Sequence, residues 1–289
     1  MQTYRAGVLA VVVAGVVWSL MGLVIRMLDA AGTWQVLFYR SIGLAPVLAL
    51  FIWVRAGGQL GSRLVQVGWA GIIGGFSLVV AFAGAIFAIQ STTVANAVFL
   101  FTASPFLTAI LAWGVLREKV RLATWIAIAI AMAGVGLMVR EGLAVGAGWG
   151  NLAALLSALG FSVFTVVLRW GKLADMMPVV LLGAVFSIVT AALVIWARGD
   201  GLAVSWHDGL LAFAMGSVIL ALGMICYTLG SQSVPAAETT LLSLIEVLLA
   251  PVWVWLFLGE TASIGTFVGG GIVLLALCFN TVSGTLARG

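Results

Sequence analysis

The chain has 289 residues, is 64% hydrophobic and only 8% charged, and carries a formal net charge of +4. Soluble domains carry about 25% charged residues, so these charges cannot coat a soluble globule and the solvent of the fold is lipid. The basic residues stand singly between apolar runs, which excludes nucleic acid. The two cysteines, Cys226 and Cys278, fall inside apolar runs and the single histidine, His207, has no partner at ligand spacing, so no disulfide, metal or other cofactor is expected.

A membrane span needs roughly 20 mostly apolar residues. Ten stretches qualify in chain order: 6–28, 33–54, 66–89, 92–116, 122–139, 150–171, 177–197, 208–231, 236–258 and 263–284. The first run is long enough to span and has a counterpart in the second half, so it is read as a helix rather than a signal peptide. The longest connections lie near 55–65, 140–149 and 198–207, and the Gly-rich segment Gly142 to Gly150 joins two halves, 1–145 and 146–289. With the N-terminus inside, Arg5, Arg55, Arg63, Arg117, Lys119, Arg121, Arg169, Lys172 and Arg288 fall at cytoplasmic ends, against Arg26, Arg140 and Arg198 at the opposite ends. The positive-inside rule then predicts an inner (plasma) membrane protein with both termini cytoplasmic.

The halves match each other. Gln90-Ser91, Ala95, Leu100, Leu107, Trp113, Leu116 and Glu118 recur 142 residues later as Gln232-Ser233, Ala237, Leu242, Leu249, Trp255, Leu258 and Glu260. At an offset of 143, Leu9-Ala10, Ser19 and Arg26 recur as Leu152-Ala153, Ser162 and Arg169, with Phe161 in place of Trp18. Apolar matches are cheap here, but Trp and Glu are scarce. A duplicated unit of five spans enters the bilayer in opposite orientations, a construction common in secondary transporters. The expected fold is therefore all-α, with ten transmembrane helices as two inverted five-helix repeats. Gly71-x-x-x-Gly75 and Gly265-x-x-x-Gly269 permit close helix approach, either as fixed packing or as sliding surfaces.

These residues resemble the drug/metabolite transporter superfamily, and within it the EamA-type members. Leu-Arg-Glu-Lys at 116–119 and Leu-Gly-Glu-Thr at 258–261 are similar to the family's Glu-containing turns. Pro235-Ala-Ala-Glu-Thr-Thr-Leu-Leu-Ser-Leu-Ile-Glu246 resembles its ninth-span motif, Asn96-Ala-Val-Phe-Leu-Phe-Thr-Ala-Ser-Pro105 the first-repeat partner, and Arg40 the arginine of span two. Many relatives have proline directly after the ninth-span glutamate; here Val247 follows and Pro251 comes later, so the local backbone shape is not carried over. The resemblance implies that the ten helices surround a central cavity open to one side at a time, and export of small metabolites, with amino acids, including aromatic ones, prominent among the substrates.

Glu246 is the sharpest candidate for a substrate contact. An acidic residue near a span's middle costs roughly 2.5–3.5 kcal/mol on insertion scales, so it faces a cavity or a partner. It binds a substrate ammonium, takes up a proton, or locks two helices together. Glu238, Leu242 and Glu246 share a helical stripe, and Asn96, Leu100 and Ser104 repeat it in span four; cavity lining and interhelical hydrogen bonding both explain Asn96. Trp18 with Ser19 and Phe161 with Ser157 form a second symmetric pair, and Phe82, Phe99 and Tyr227 are further aromatic candidates for a pocket. Pro105 and Pro251 free the carbonyls of Phe101 and Val247 and are candidate hinges or static bends. Glu118 and Glu260 are read as turn residues that favour the N-terminus of the following helix. The expected partners are a small-molecule substrate and lipid, and transport is either coupled to the proton or simple downhill facilitation, between which the sequence does not choose. Nothing resembles an ATP-binding loop, and no nucleophile–base constellation supports an embedded enzyme. A channel is the remaining competing class.

Overall fold

The structure, a computed structural model, describes residues 4–144, 146–173, 175–234 and 236–286, with side chains described throughout these except at 142, 236–238, 240, 241, 243, 244 and 284–286. The described residues form helices and turns without a strand: α1 Tyr4–Arg26, α2 Thr33–Arg55, α3 Leu60–Gln66, α4 Gly68–Ser91, α5 Val94–Phe101, α6 Ser104–Leu116, α7 Leu122–Ala144, α8 Gly148–Trp170, α9 Met177–Arg198, α10 Trp206–Ala214, a π-helical segment Met215–Leu220, α11 Ala221–Gly230, α12 Ala236–Leu258 and α13 Ile264–Leu286. Nine stretches of described residues are long and apolar enough to cross a membrane. Helix α12 is 23 residues long, and its described apolar portion covers 245–258. The expected spans coincide with these helical stretches to within about three residues, except that α7 runs five residues beyond the expected end at 139. The short α3, in the connection expected to be irregular, has no buried residue.

Lipid-facing surface explains why so many large apolar side chains are exposed. Trp69, Trp149, Trp196 and Trp206 are each more than 70% exposed and sit at helix ends, as in the aromatic belts of membrane proteins. In lipid every backbone polar group must be satisfied within the chain, and the turns show how. Thr93 caps α5 by accepting from the Asn96 N–H, and Ser205 caps α10 by accepting from the Asp208 N–H. Arg117 and Gly259 occupy matched turns and both adopt the left-handed region, at φ 55° and 66°. A side chain there costs about 1 kcal/mol that glycine avoids. Arg117→Gly is therefore expected to stabilise the chain by up to about 1 kcal/mol, read as a small rise in the unfolding midpoint in detergent.

The main packing partners are α4 with α8 and α9, α7 with α13, α1 with α12 and α11, and α2 with α9 and the π-helical segment. Close approach is made by glycine. A Cβ on Gly43 or Gly216 would run into the backbone of Phe213 or Arg40, so α2 and the π segment meet main chain to main chain. Gly75 abuts Phe186 and Gly183, and Gly269 abuts Met138 and Gly134, so both small-residue stripes lie in tight helix contacts.

One end of the bundle is laced together by polar groups that apolar periodicity does not reveal. This is the end carrying the α1–α2, α4–α5, α9–α10 and α12–α13 connections, here termed the distal end. Asp208, 1% exposed, accepts from the backbone N–H groups of Asp29, Ala30 and Ala31 at 2.8–3.0 Å. Gln90 accepts from the Thr33 hydroxyl at 2.6 Å and donates to the Ala31 carbonyl at 3.0 Å. His207 Nδ1 lies 3.3 Å from Asp29 and 3.5 Å from Asp208, so the histidine, solitary in sequence, has two acidic neighbours in the fold. The oxygens of Asp208 are already engaged by backbone donors, which marks this cluster as a clasp on the α1–α2 turn. Asp208→Ala strands three N–H groups and is expected to cost about 2–4 kcal/mol, measured as a fall in the thermal midpoint of purified protein. An unchanged midpoint would contradict the clasp.

Candidate functional site

Helix α1 organises the interior. Three of its residues, within little more than one turn, meet two elements of the second half, Gly15 and Ser19 facing α12 and Trp18 facing α11. Gly15 lets α12 approach until the Glu246 backbone N would sit 3.6 Å from a Cβ at that position, beside the Leu242 carbonyl at 3.7 Å. The Trp18 ring lies 5.5 Å from that of Tyr227 and covers Gly223 of α11. The Ser19 hydroxyl is fully buried, donates to the Val16 carbonyl at 2.6 Å and accepts from the Trp253 indole N–H at 2.8 Å. Glu246 and the Trp18–Tyr227 pair are thus placed within about one turn of each other along α1. The Glu246 carboxylate has no hydrogen bond or ion pair among the described residues, and the Trp18 indole N–H is buried without a partner. The side chain of Glu238 lies outside the described residues.

Several other expected positions serve packing. Asn96 is 3% exposed and donates to Asn151 of α8 and, at 3.0 Å, to Thr92, while Asn151 reaches the Met138 carbonyl of α7 at 3.5 Å. Of the two explanations of Asn96, interhelical hydrogen bonding is the one its geometry fits. Ser157 donates to the Ala81 carbonyl of α4 at 2.7 Å and ties α4 to α8. Phe99 is buried against Gly270 of α13. Phe161 is 48% exposed with its ring 5.6 Å from that of Phe164 on its own helix, which differs from the environment of Trp18 at the matched position. The symmetry of sequence here does not extend to burial, because α1 is covered by α11 and α12 whereas this face of α8 is not.

The prolines also behave differently. At Thr102 and Ala103 the chain breaks between α5 and α6, with tight i→i−3 bonds to Phe99 and Leu100 at 3.1 Å and Pro105 in the first turn of α6. The Ser104 carbonyl accepts from the Ser162 hydroxyl of α8 at 2.9 Å. Helix α12 runs continuously through Pro251. Pro105 therefore sits in the first turn of a helix, whereas Pro251 lies inside one. The break in the first half falls just before Ser104, the position matched in the second half by Glu246.

Two ion pairs were hidden from sequence reading. Arg26 at the end of α1 meets Glu260 at 2.8 Å, and Arg169 at the end of α8 meets Glu118 at 2.8 Å. Both arginines and both glutamates are matched across the halves. The first pair is the more buried, at 26% and 18% exposed side chain against 51% and 38%. Arg26 also donates to the Thr92 carbonyl, and Glu260 accepts from the Val94 N–H at 2.6 Å. Glu260 thus caps α5, in the other half of the chain, rather than the helix that follows it; this corrects the local-turn expectation. A carboxylate at a helix N-terminus is favoured wherever the fold brings it, and sequence distance gives no sign of that. A cavity of about 210 Å³ lies beside this pair, lined by Ala95, Pro251, Trp255, Glu260 and Phe267 among others, and an open groove surrounds Trp113, Arg117 and Glu118 at the opposite end.

A further residue completes the interior. Arg40 of α2, noted in sequence only as part of a family resemblance, is 1% exposed, with its guanidinium carbon 4.5 Å from the centre of the Phe82 ring. Phe82 packs on both apolar clusters of the core and so marks their junction.

Comparison with known proteins accords with this arrangement. The EamA-like transporter family matches residues 5–140 and again 148–282. The chain is 27% identical over 205 residues to the uncharacterized transporter YwfM of Bacillus subtilis, a match covering 66% of this chain and 65% of that protein's length. It is 25% identical over 217 residues to an uncharacterized transporter of Clostridium kluyveri, covering 70% and 68%. A solved crystal structure superposes with a TM-score of 0.66 at 16% identity, covering 97% of this chain and 98% of that one, a likeness of fold. With two family matches that together take in most of its length, this multi-pass membrane chain belongs to the EamA-like transporter family.

Proposed function

We propose that the chain is a secondary transporter that exports a small metabolite, an amino acid in the first instance, by alternating access between two inverted five-helix repeats, residues 1–145 and 146–289. The observation that carries this reading is the matched set of ion pairs, Arg26–Glu260 and Arg169–Glu118, one at each end of the bundle. Each joins the first repeat to the second. Both are formed in this structure, and alternating access would release one of them while the other holds. The helix pairings support the same reading. Advancing spans one and nine by five positions gives six and four, and both pairs are packed. Spans two with seven and five with ten map onto themselves.

Substrate passes the region of the interior that holds Trp18, Tyr227, Phe82 and Glu246, and the aromatic side chains favour a cargo with an apolar or aromatic group. Glu246 contacts the substrate ammonium or carries a coupling proton. The termini lie in the cytoplasm and the membrane is the inner one. The direct test is counterflow in proteoliposomes with radiolabelled amino acids and nucleosides. Stimulated, saturable uptake of an amino acid is expected. Its absence across every amino acid removes that assignment, and unsaturable flux would indicate a channel.

A further inference from the structure

Among the described residues Arg40 is the one buried basic side chain, and none of their side chains neutralises it. Its Nε and Nη2 are fully enclosed without a hydrogen-bond partner, and no carboxylate of the described side chains lies within ion-pair distance. Burying a charge is costly unless it is paired and hydrogen-bonded. The face of Phe82 gives partial compensation, but a ring cannot accept the directed N–H groups of a guanidinium fork. A packing role would be served more cheaply by an apolar side chain of similar volume.

The surroundings hold this fork in place. The main chain of Arg40 is pressed against Gly216, and Gly43 one turn on is pressed against Phe213. Both contacts fall beside the π-helical segment, where span eight departs from regular helix, a deviation frequent at functional sites. The Trp18 indole N–H is likewise buried without a partner and likewise only donates, whereas the unpartnered hydroxyls of Ser41, Ser187 and Thr228 can donate or accept. The unfilled need at Arg40 itself is therefore for an acceptor carrying one negative charge.

We infer that Arg40 is the anion-recognition residue of the transport path and that the substrate class is carboxylates, with the guanidinium fork receiving the carboxylate. This rests on the reading of the interior as that path. A planar carboxylate matches the fork in a bidentate manner, and one unpaired cation calls for a monoanion. With Glu246 available for an ammonium, the two residues would take opposite ends of a zwitterion.

The test uses the full-length chain purified in detergent. Its thermal midpoint is measured with acetate, butyrate and 3-phenylpropanoate, each against its neutral amide. At about 20 mM, at least one carboxylate is expected to raise the midpoint by about 2 °C or more while its amide does not. Arg40→Gln is expected to abolish that difference, and Arg40→Lys, which keeps the charge but not the fork, to weaken it. No carboxylate-specific stabilisation in the wild-type chain overturns the assignment without recourse to any variant. So does the same stabilisation in Arg40→Gln. Counterflow of L-phenylalanine separates this inference from the export reading. Stabilisation by a carboxylate without counterflow of any amino acid leaves Arg40 assigned and removes amino-acid export. Counterflow undiminished in Arg40→Gln leaves export standing and removes the role of Arg40.

Discussion

Replacing Glu246 with glutamine is expected to lower counterflow of the transported amino acid by about 30-fold or more, because truncating one partner of a buried charge pair costs roughly 2–5 kcal/mol. The substitution conserves shape, so the contact between α12 and Gly15 of α1 is retained. What is lost is the carboxylate of a residue whose backbone packs about one turn of α1 from Trp18, and with it the proposed partner for a substrate ammonium or acceptor for a proton. If Glu246 carries a coupling proton, the variant also loses the dependence of transport on an imposed pH gradient. Glu246→Asp keeps the charge but withdraws it by one methylene, and an intermediate rate is expected. Unchanged rate and unchanged pH dependence in Glu246→Gln would assign the carboxyl to helix packing.

The second large effect is expected at the distal latch. Exposed ion pairs contribute about 0.2–1 kcal/mol, and the Arg169–Glu118 pair, at 51% and 38% exposed, is of that kind. The Arg26–Glu260 pair is more enclosed and is reinforced by the Thr92 carbonyl and the Val94 N–H. Hydrogen bonds to charged groups add about 1.5–3 kcal/mol each. Glu260→Gln is therefore expected to shift the balance of conformations about tenfold or more toward opening at the distal end, and Glu118→Gln to shift it little. In a chain with Cys226 and Cys278 replaced by alanine, a cysteine at Ala95, which lines the cavity beside Glu260, reports the opening. Its labelling by a water-soluble maleimide should rise with Glu260→Gln and stay near the parent value with Glu118→Gln. Equal labelling in the two variants would show that the pairs are not unequal latches. High salt should weaken the exposed pair first, because screening acts most on charges in solvent.

The distal lacing belongs with this expectation. Asp208, Gln90, Arg26 and Glu260 all bind backbone groups at that end, so the state described is closed there by several independent contacts. In the proposed alternating-access cycle, opening at this end releases the Arg26–Glu260 contact while the Asp208 clasp, between the α1–α2 connection and the first turn of α10, stays intact. The two variants Asp208→Ala and Glu260→Gln should accordingly separate, the first lowering stability and the second changing conformation.

The sequence by itself determined the solvent of the fold, the positions of the helices and the correspondence between the two halves. Each rests on local composition or on residues compared one by one: long apolar runs must be helices in lipid, and scarce Trp and Glu at a constant offset betray duplication. It also singled out Glu246, because a charge in an apolar run stands out without any knowledge of its neighbours. Tertiary structure alone decided what each polar residue touches. Asn96 and Ser157 turned out to join helices, Phe161 to be exposed, and Glu260 to cap α5 from the other half of the chain. Arg26 and Glu260 are 234 residues apart, and no periodicity in a single helix can bring them to 2.8 Å. The isolation of Arg40 is likewise invisible in sequence, since an unpaired charge is defined by what every surrounding helix fails to provide. The repeat predicted symmetry, and packing kept it in the ion pairs but broke it at Ser104 and Glu246, where one half starts a new helix after a break and the other runs on through a continuous helix.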